Sequence, residues 1–149
     1  MKASRVAATL KTLNGLANRI QRLRTEKIPK EVERLKRGVV EVMLVSLVDN
    51  TIVDTSKALS NWQVNVGSAL TNELDAYVPG ARGSTQGVSG SIVVNIGIAK
   101  VKGPIFNLPI YISNNAPYIE TLNNRNDGDF VERSIGLANI YINSFKFKL

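Results

Sequence analysis

Apolar residues return at helical spacing through the first fifty positions of the chain. Between residues 4 and 24 the stripe is Val6, Leu10, Leu13, Ala17, Ile20 and Leu23, with Arg5, Lys11, Arg19 and Arg22 falling largely between them. That spacing predicts an amphipathic helix with a basic outer face. Gly15 weakens its middle by about 1 kcal/mol. Thr25 to Ile28 is expected to interrupt it, because Pro29 reads as the first position of a second helix. This second helix is predicted from about Pro29 to Asn50, on the stripe Val32, Leu35, Val39, Val42, Met43 and Leu47. Glu31 and Glu33 favour its N-terminal end electrostatically. From Val39 onward it is apolar nearly all round and should be the central buried rod. The half holding Arg34, Lys36 and Arg37 should be wetter.

The pattern changes after Asn50. Asp54 or Thr55 is placed to cap a short helix through Ala58, Leu59 and Trp62, and Gln63 to Gly67 alternates as a strand. Trp62, the single tryptophan, is expected to anchor the core. Residues 69–77 fit a loose helix or an extended loop, and Pro79 to Gly90 form a turn-rich link. From Ile92 to Val101 the β-branched composition favours strand, while Val88, Ile92, Ile96 and Ala99 share one helical face; the residues alone leave both open. Ile110-Tyr111-Ile112 alternates as a half-buried strand. Ser113-Asn114-Asn115 turns the chain, and Pro117 suits the first turn of a short helix, Tyr118 to Leu122. This strand, corner and helix read as a rigid elbow. After the turn Asn123 to Asp129, the positions Phe130, Val131, Ile135, Ala138 and Ile142 predict a helix ending near Ser144, and FKFKL closes the chain as an edge strand or ordered tail. The expected fold is α+β, with long N-terminal helices packed on a small β-sheet and a C-terminal helix. Residues 1–28 are expected as a basic amphipathic helix and 29–149 as one domain.

Charge sharpens this picture. Of the net +7, residues 1–40 hold eleven Lys/Arg against three Asp/Glu, so the basic character belongs to one segment. The chain has no cysteine and no histidine, which removes thiolate chemistry and the commonest acid–base group and metal ligand. Glu73 with Asp75, and Asp127 with Asp129, sit in loops and read as solvated surface. The glycines between Gly80 and Gly90 lack the phosphate-loop spacing. No catalytic residue, cofactor or metal is therefore expected. The basic helix has no aromatic residue to stack on bases, so a docking face for protein outweighs nucleic-acid binding, which stays as the alternative. The most apolar run, Val39 to Val48, is too short to cross a bilayer, and a soluble protein is expected.

Two passages resemble a known family. The run Val53, Asp54, Thr55, Leu59, Trp62, and the run Ile110, Ile112, Asn114, Asn115, Pro117, Tyr118, Leu122, stand in the same order as motifs of the tail-completion (head-to-tail joining, or neck) proteins of tailed bacteriophages, the lambda minor tail protein Z group among them. Phe130-Val131-Glu132-Arg133 is similar to the opening of that family's last helix. Ser56 stands where the family usually has glycine and Ile52 where it often has proline, and the family's longer loop before the last helix is reduced here to Asn123–Asp129. The resemblance places a helix over residues 88–101. It implies a non-enzymatic virion protein that forms a six- or twelvefold homo-oligomeric ring. Portal or adaptor and tail proteins would be its neighbours, with DNA passing through the lumen without sequence-specific binding and no membrane involved. In that setting Asp54, Thr55, Trp62, Asn114, Asn115, Pro117 and Tyr118 are structural, and Arg5, Lys11, Arg19, Arg22 and Arg24 are candidate assembly or DNA-lumen contacts. The N-terminal helix is then expected to serve assembly more than the core.

Overall fold

Pro29 decides how the first two helices join. It has no N–H to donate four residues back, and its ring crowds the carbonyl it should have bonded. The chain answers by widening rather than by breaking. Helix α1 (Lys2–Arg22) runs into a single π-turn, Leu23–Lys27, in which the Ile28 N–H donates five residues back to the Leu23 carbonyl, and then into α2 (Ile28–Asn50). The expected interruption at Thr25 to Ile28 is thus a wide turn inside one continuous helical rod. The computed structural model describes residues 2–125 and 128–149, with residues 2–10 as backbone.

Four further helices and two strands complete the fold: α3 (Lys57–Ser60), β1 (Trp62–Val66), α4 (Gln86–Lys100), β2 (Ile110–Asn114), α5 (Ile119–Asn123) and α6 (Phe130–Ser144). The two strands pair antiparallel, Val64 opposite Ile112, and form a two-stranded sheet. The architecture is α+β, mostly helical, with a long N-terminal helix and a C-terminal one. Helix α6 runs back along α2, and α4 packs on both α2 and β1. The core is where they meet, built on Leu44, Leu47, Leu59, Val64, Val93 and Phe130. Trp62 belongs to it, 7% exposed, with its ring edge-on to Phe130 at 6.0 Å and its Nε1 donating to Thr51 Oγ1 at 2.8 Å. It opens β1, however, and does not close the short helix as the sequence suggested.

Residues 86–100 are helical, and the buried face is the unexpected one. Val88 and Ile96 lie exposed, while Ser89, Gly90, Val93 and Gly97 face inward. Small residues let the α4 backbone come close: a β-carbon on Gly97 would collide with the Leu44 side chain and crowd Val64 Cγ2. Close backbone approach outweighs the burial of more apolar area. Similarly, Ile135 and Ile142 of α6 are exposed, and Phe130, Ser134 and Ala138 are buried. Residues 69–77 are an extended segment without helix.

The charged half of α2 is not simply wet. Lys36 Nζ donates to the carbonyls of Ile105, Phe106 and Leu108 at 2.8–3.0 Å. Arg37 donates to the carbonyls of Val101 and Gly103, and Glu33 Oε1 accepts from the N–H groups of Ile105 and Phe106. Glu31 accepts from the Lys148 N–H, and Arg34 donates to the Lys146 carbonyl with its guanidinium 4.1 Å over the Phe145 ring. These side chains clamp the loop after α4 and hold the C-terminal residues as an ordered tail. Backbone groups in loops need partners, and long charged side chains supply them.

Candidate functional site

The two passages singled out in the sequence meet in space. Asn114 ends β2, and its Nδ2 donates to the Ala58 carbonyl of α3 at 2.8 Å, while its Oδ1 accepts from the Ala116 N–H at 3.0 Å. One side chain therefore turns the chain out of the strand and ties the elbow to α3. Asn115 Nδ2 donates to the Leu70 and Asn72 carbonyls at 3.0 and 3.1 Å, holding the extended segment against the sheet. Pro117 and Tyr118 are exposed, and the short helix follows one residue later than expected, at Ile119. Ile52, Asp54 and Thr55 face Tyr118, Leu122 and Arg125 across a shared open groove of about 340 Å³.

Neither Asp54 nor Thr55 caps α3. Ser56 takes that place in left-handed backbone, φ +66°, without a side-chain cap. Its Oγ lies 2.8 Å from Thr85 Oγ1 instead. Asp54 turns away to accept the Arg82 N–H at 2.8 Å, and its carbonyl takes the Gly83 N–H, so it moors the glycine-rich turn that precedes α4. The sequence placed a cap where the tertiary structure needed an anchor.

The candidate contact residues of the N-terminal segment lie apart from this groove. Residues 11–22 are exposed throughout, and α1 makes its main contacts with the π-turn that continues it. Its apolar side chains are uncovered: Leu13 is 55%, Leu16 52% and Ile20 56% exposed. Lys11, Arg19 and Arg22 occupy the opposite side of the helix. Arg22 pairs with Glu26 at 3.3 Å in full solvent, which contributes little. Arg24 is exposed in the π-turn, and the Arg5 side chain lies outside the described residues. Arg34, Lys36 and Arg37, counted in the basic segment, are consumed by the clamp on α2. The basic side chains of residues 11–24 therefore stay free of that clamp and face outward on the rod.

Chemistry is sparse. Glu73 pairs with Lys57 at 2.7 Å, and that contact holds the Lys57 ammonium above its ordinary range. Asp127 lies outside the described residues. Among the described residues no group of three His, Cys, Asp or Glu could hold a metal ion, and no helix is long and apolar enough to cross a membrane. An apolar groove of about 450 Å³ runs between α2, β2 and α6, lined by residues such as Val39, Met43, Leu108, Ile110 and Ile142. It has no convergent polar groups to orient a small ligand. No family model, no curated protein and no solved structure matches the chain.

Proposed function

We propose that this chain is a structural subunit of the neck of a tailed bacteriophage, a tail-completion protein that joins the head connector to the tail as a homo-oligomeric ring around the DNA channel. The observation that carries this reading is the union of the two resembling passages. The Asp54–Trp62 passage and the Asn114–Leu122 elbow are separate in sequence, yet they share one groove and are tied by the Asn114–Ala58 hydrogen bond. Ser56 adds to it, since its left-handed backbone is the conformation that glycine, the residue of the resembled pattern at that place, adopts without strain.

In this reading Asp54, Thr55, Trp62, Asn114, Asn115, Pro117 and Tyr118 keep the body rigid. The exposed rod with Lys11, Arg19, Arg22 and Arg24 faces neighbouring subunits, the portal or adaptor, or the DNA lumen. The subunit performs no reaction and carries no cofactor. Imaging purified particles by electron cryo-microscopy, with the chain identified by a specific label, tests the proposal. A ring of label at the head–tail junction is expected. Particles that carry the chain elsewhere, or complete tailed particles without it, overturn the reading.

The second reading is a basic nucleic-acid-binding module, favoured by the common side occupied by Lys11, Arg19 and Arg22. It requires tight duplex binding that weakens steeply with salt.

A further inference from the structure

The π-turn is where the rod is least determined. Pro29 has no N–H, so neither the Arg24 nor the Thr25 carbonyl receives a donor from it. The Thr25 hydroxyl donates back to the Gln21 carbonyl at 2.9 Å, a bond that competes with the helix ladder and favours bending. No residue of the turn is buried, so no packed side chain fixes it from outside. The Arg22–Glu26 pair that spans it lies in solvent. Sharp bends in helices concentrate at proline and at π-turns, and this stretch has both.

One segment of the body reaches past this turn. Residues 145–149 leave α6 and run along the start of α2, where Arg34 donates to the Lys146 carbonyl at 2.7 Å and Glu31 accepts the Lys148 N–H at 2.8 Å. The Phe145 ring lies under the Arg34 guanidinium and edge-on to Phe147 at 5.1 Å. These contacts fix the tail to the body. Leu149 then shares a shallow cleft of about 320 Å³ with Arg19 and Arg22 of α1 and with Leu23 and Lys27 of the turn. It stays 61% exposed there, so the brace is light.

We infer that the π-turn is a hinge for the rod and that the tail, residues 145–149, is the strut that sets its resting angle. With the tail in place the rod holds one direction. With the tail released it swings, while the packed body stays folded. A strut this light lets anything that binds one rod angle modestly better shift the angle. The hinge requires neither the neck role nor a partner.

Pulsed electron double resonance between paired spin labels tests this. The chain has no cysteine, so introduced cysteines alone take the label. Asn14→Cys on the rod is paired with Asn95→Cys on α4 or with Asn139→Cys on α6, all exposed positions. Labelled chain is diluted with unlabelled chain so that distances are read within one molecule. Asn14 stands about 16 Å along the rod from Thr25, so a swing of about 20° displaces its label by about 6 Å. Each pair should give a narrow distance distribution in the full chain. Removing residues 145–149 should widen it by about 6 Å or more in at least one pair. Leu149→Ser, which keeps the tail on α2, should widen it in the same pair by less. Should the shortened chain fail to melt cooperatively, Leu149→Ser alone decides. Pro29→Ala combined with the released tail should narrow the distribution again, because the restored N–H closes the turn. A distribution already broad in the full chain, or one that no folded tail variant widens, overturns the strut. One that Pro29→Ala leaves broad overturns the hinge. The labelled-particle experiment reads the neck role separately, so failure of one is told from failure of the other.

Discussion

Lys36 Nζ lies 2.8 Å from the carbonyl oxygen of Phe106, the shortest of three hydrogen bonds by which one ammonium gathers the loop after α4. The three acceptors are backbone carbonyls in a stretch outside any strand or helix, where the Ile105 carbonyl also takes the Leu108 N–H at 3.2 Å. Lys36→Met keeps the stem and removes the donors, so stability should fall by about 1–3 kcal/mol. Lys11→Met, on the exposed rod, should leave the denaturant midpoint where it is. Equal effects from the two would mean that Lys36 is an ordinary surface lysine.

The elbow should respond unequally to its two asparagines. Asn114 makes a bond on each side of its amide within the fold, whereas Asn115 donates to two carbonyls at the rim. Asn115→Ala is expected to cost about 1 kcal/mol and Asn114→Ala about 2 kcal/mol, measured by urea unfolding. A reversal of that order would place the main anchor of the elbow on the extended segment.

Two glycines of α4 give opposite signs. Gly97→Ala forces a methyl into Leu44 and should destabilise by about 1–3 kcal/mol, although alanine is the better helix former. Gly87→Ala meets nothing within 4 Å and should stabilise by about 0.5–1 kcal/mol. Thermal unfolding of both variants checks the pair. A stabilised Gly97→Ala protein would mean that α4 does not sit tightly on α2.

Acid should loosen the clamp on α2. The side-chain hydrogen bond from Arg34, with the Lys148 N–H, holds the Glu31 carboxyl below its ordinary range; the Ile105 N–H, helped by Arg37, does the same for Glu33. A carboxyl whose folded value is depressed contributes stability that is complete above its unfolded value, near pH 4.5, and is lost as pH falls through the folded value. The melting temperature should therefore drop below about pH 4.5, and Glu33→Gln should flatten that drop while lowering stability at neutral pH. An unchanged acid limb in Glu33→Gln would remove Glu33 from the cause.

Removing residues 1–24 should leave the body folded. Among the described residues the first buried side chain is Glu31, residues 11–22 are exposed throughout, and the removed segment meets the body at the shallow cleft that Arg19, Arg22 and Leu23 share with Leu149. The truncated chain is expected to unfold cooperatively at a temperature close to that of the full chain. A molten truncated protein would show that the rod belongs to the intramolecular core.

Periodicity and turn chemistry act over a few residues, and whatever depends on them alone was legible in the sequence. The second helix and the C-terminal helix, both main strands and the Asn-Asn corner followed by a short helix all stand close to where the residues placed them. The exposed, basic character of residues 11–22 was equally readable, because helical periodicity alone sets which side each residue takes. Tertiary structure decided the rest, through contacts between residues far apart in the chain. The inward face of α4 follows from how closely Gly97 lets it approach Leu44, which apolar content does not measure. Asp54 turned from cap to anchor because the Arg82 N–H lay within reach. Arg34, Lys36 and Arg37 became a clamp because distant backbone carbonyls needed donors, a demand that appears only once the loop and the tail have been laid against α2.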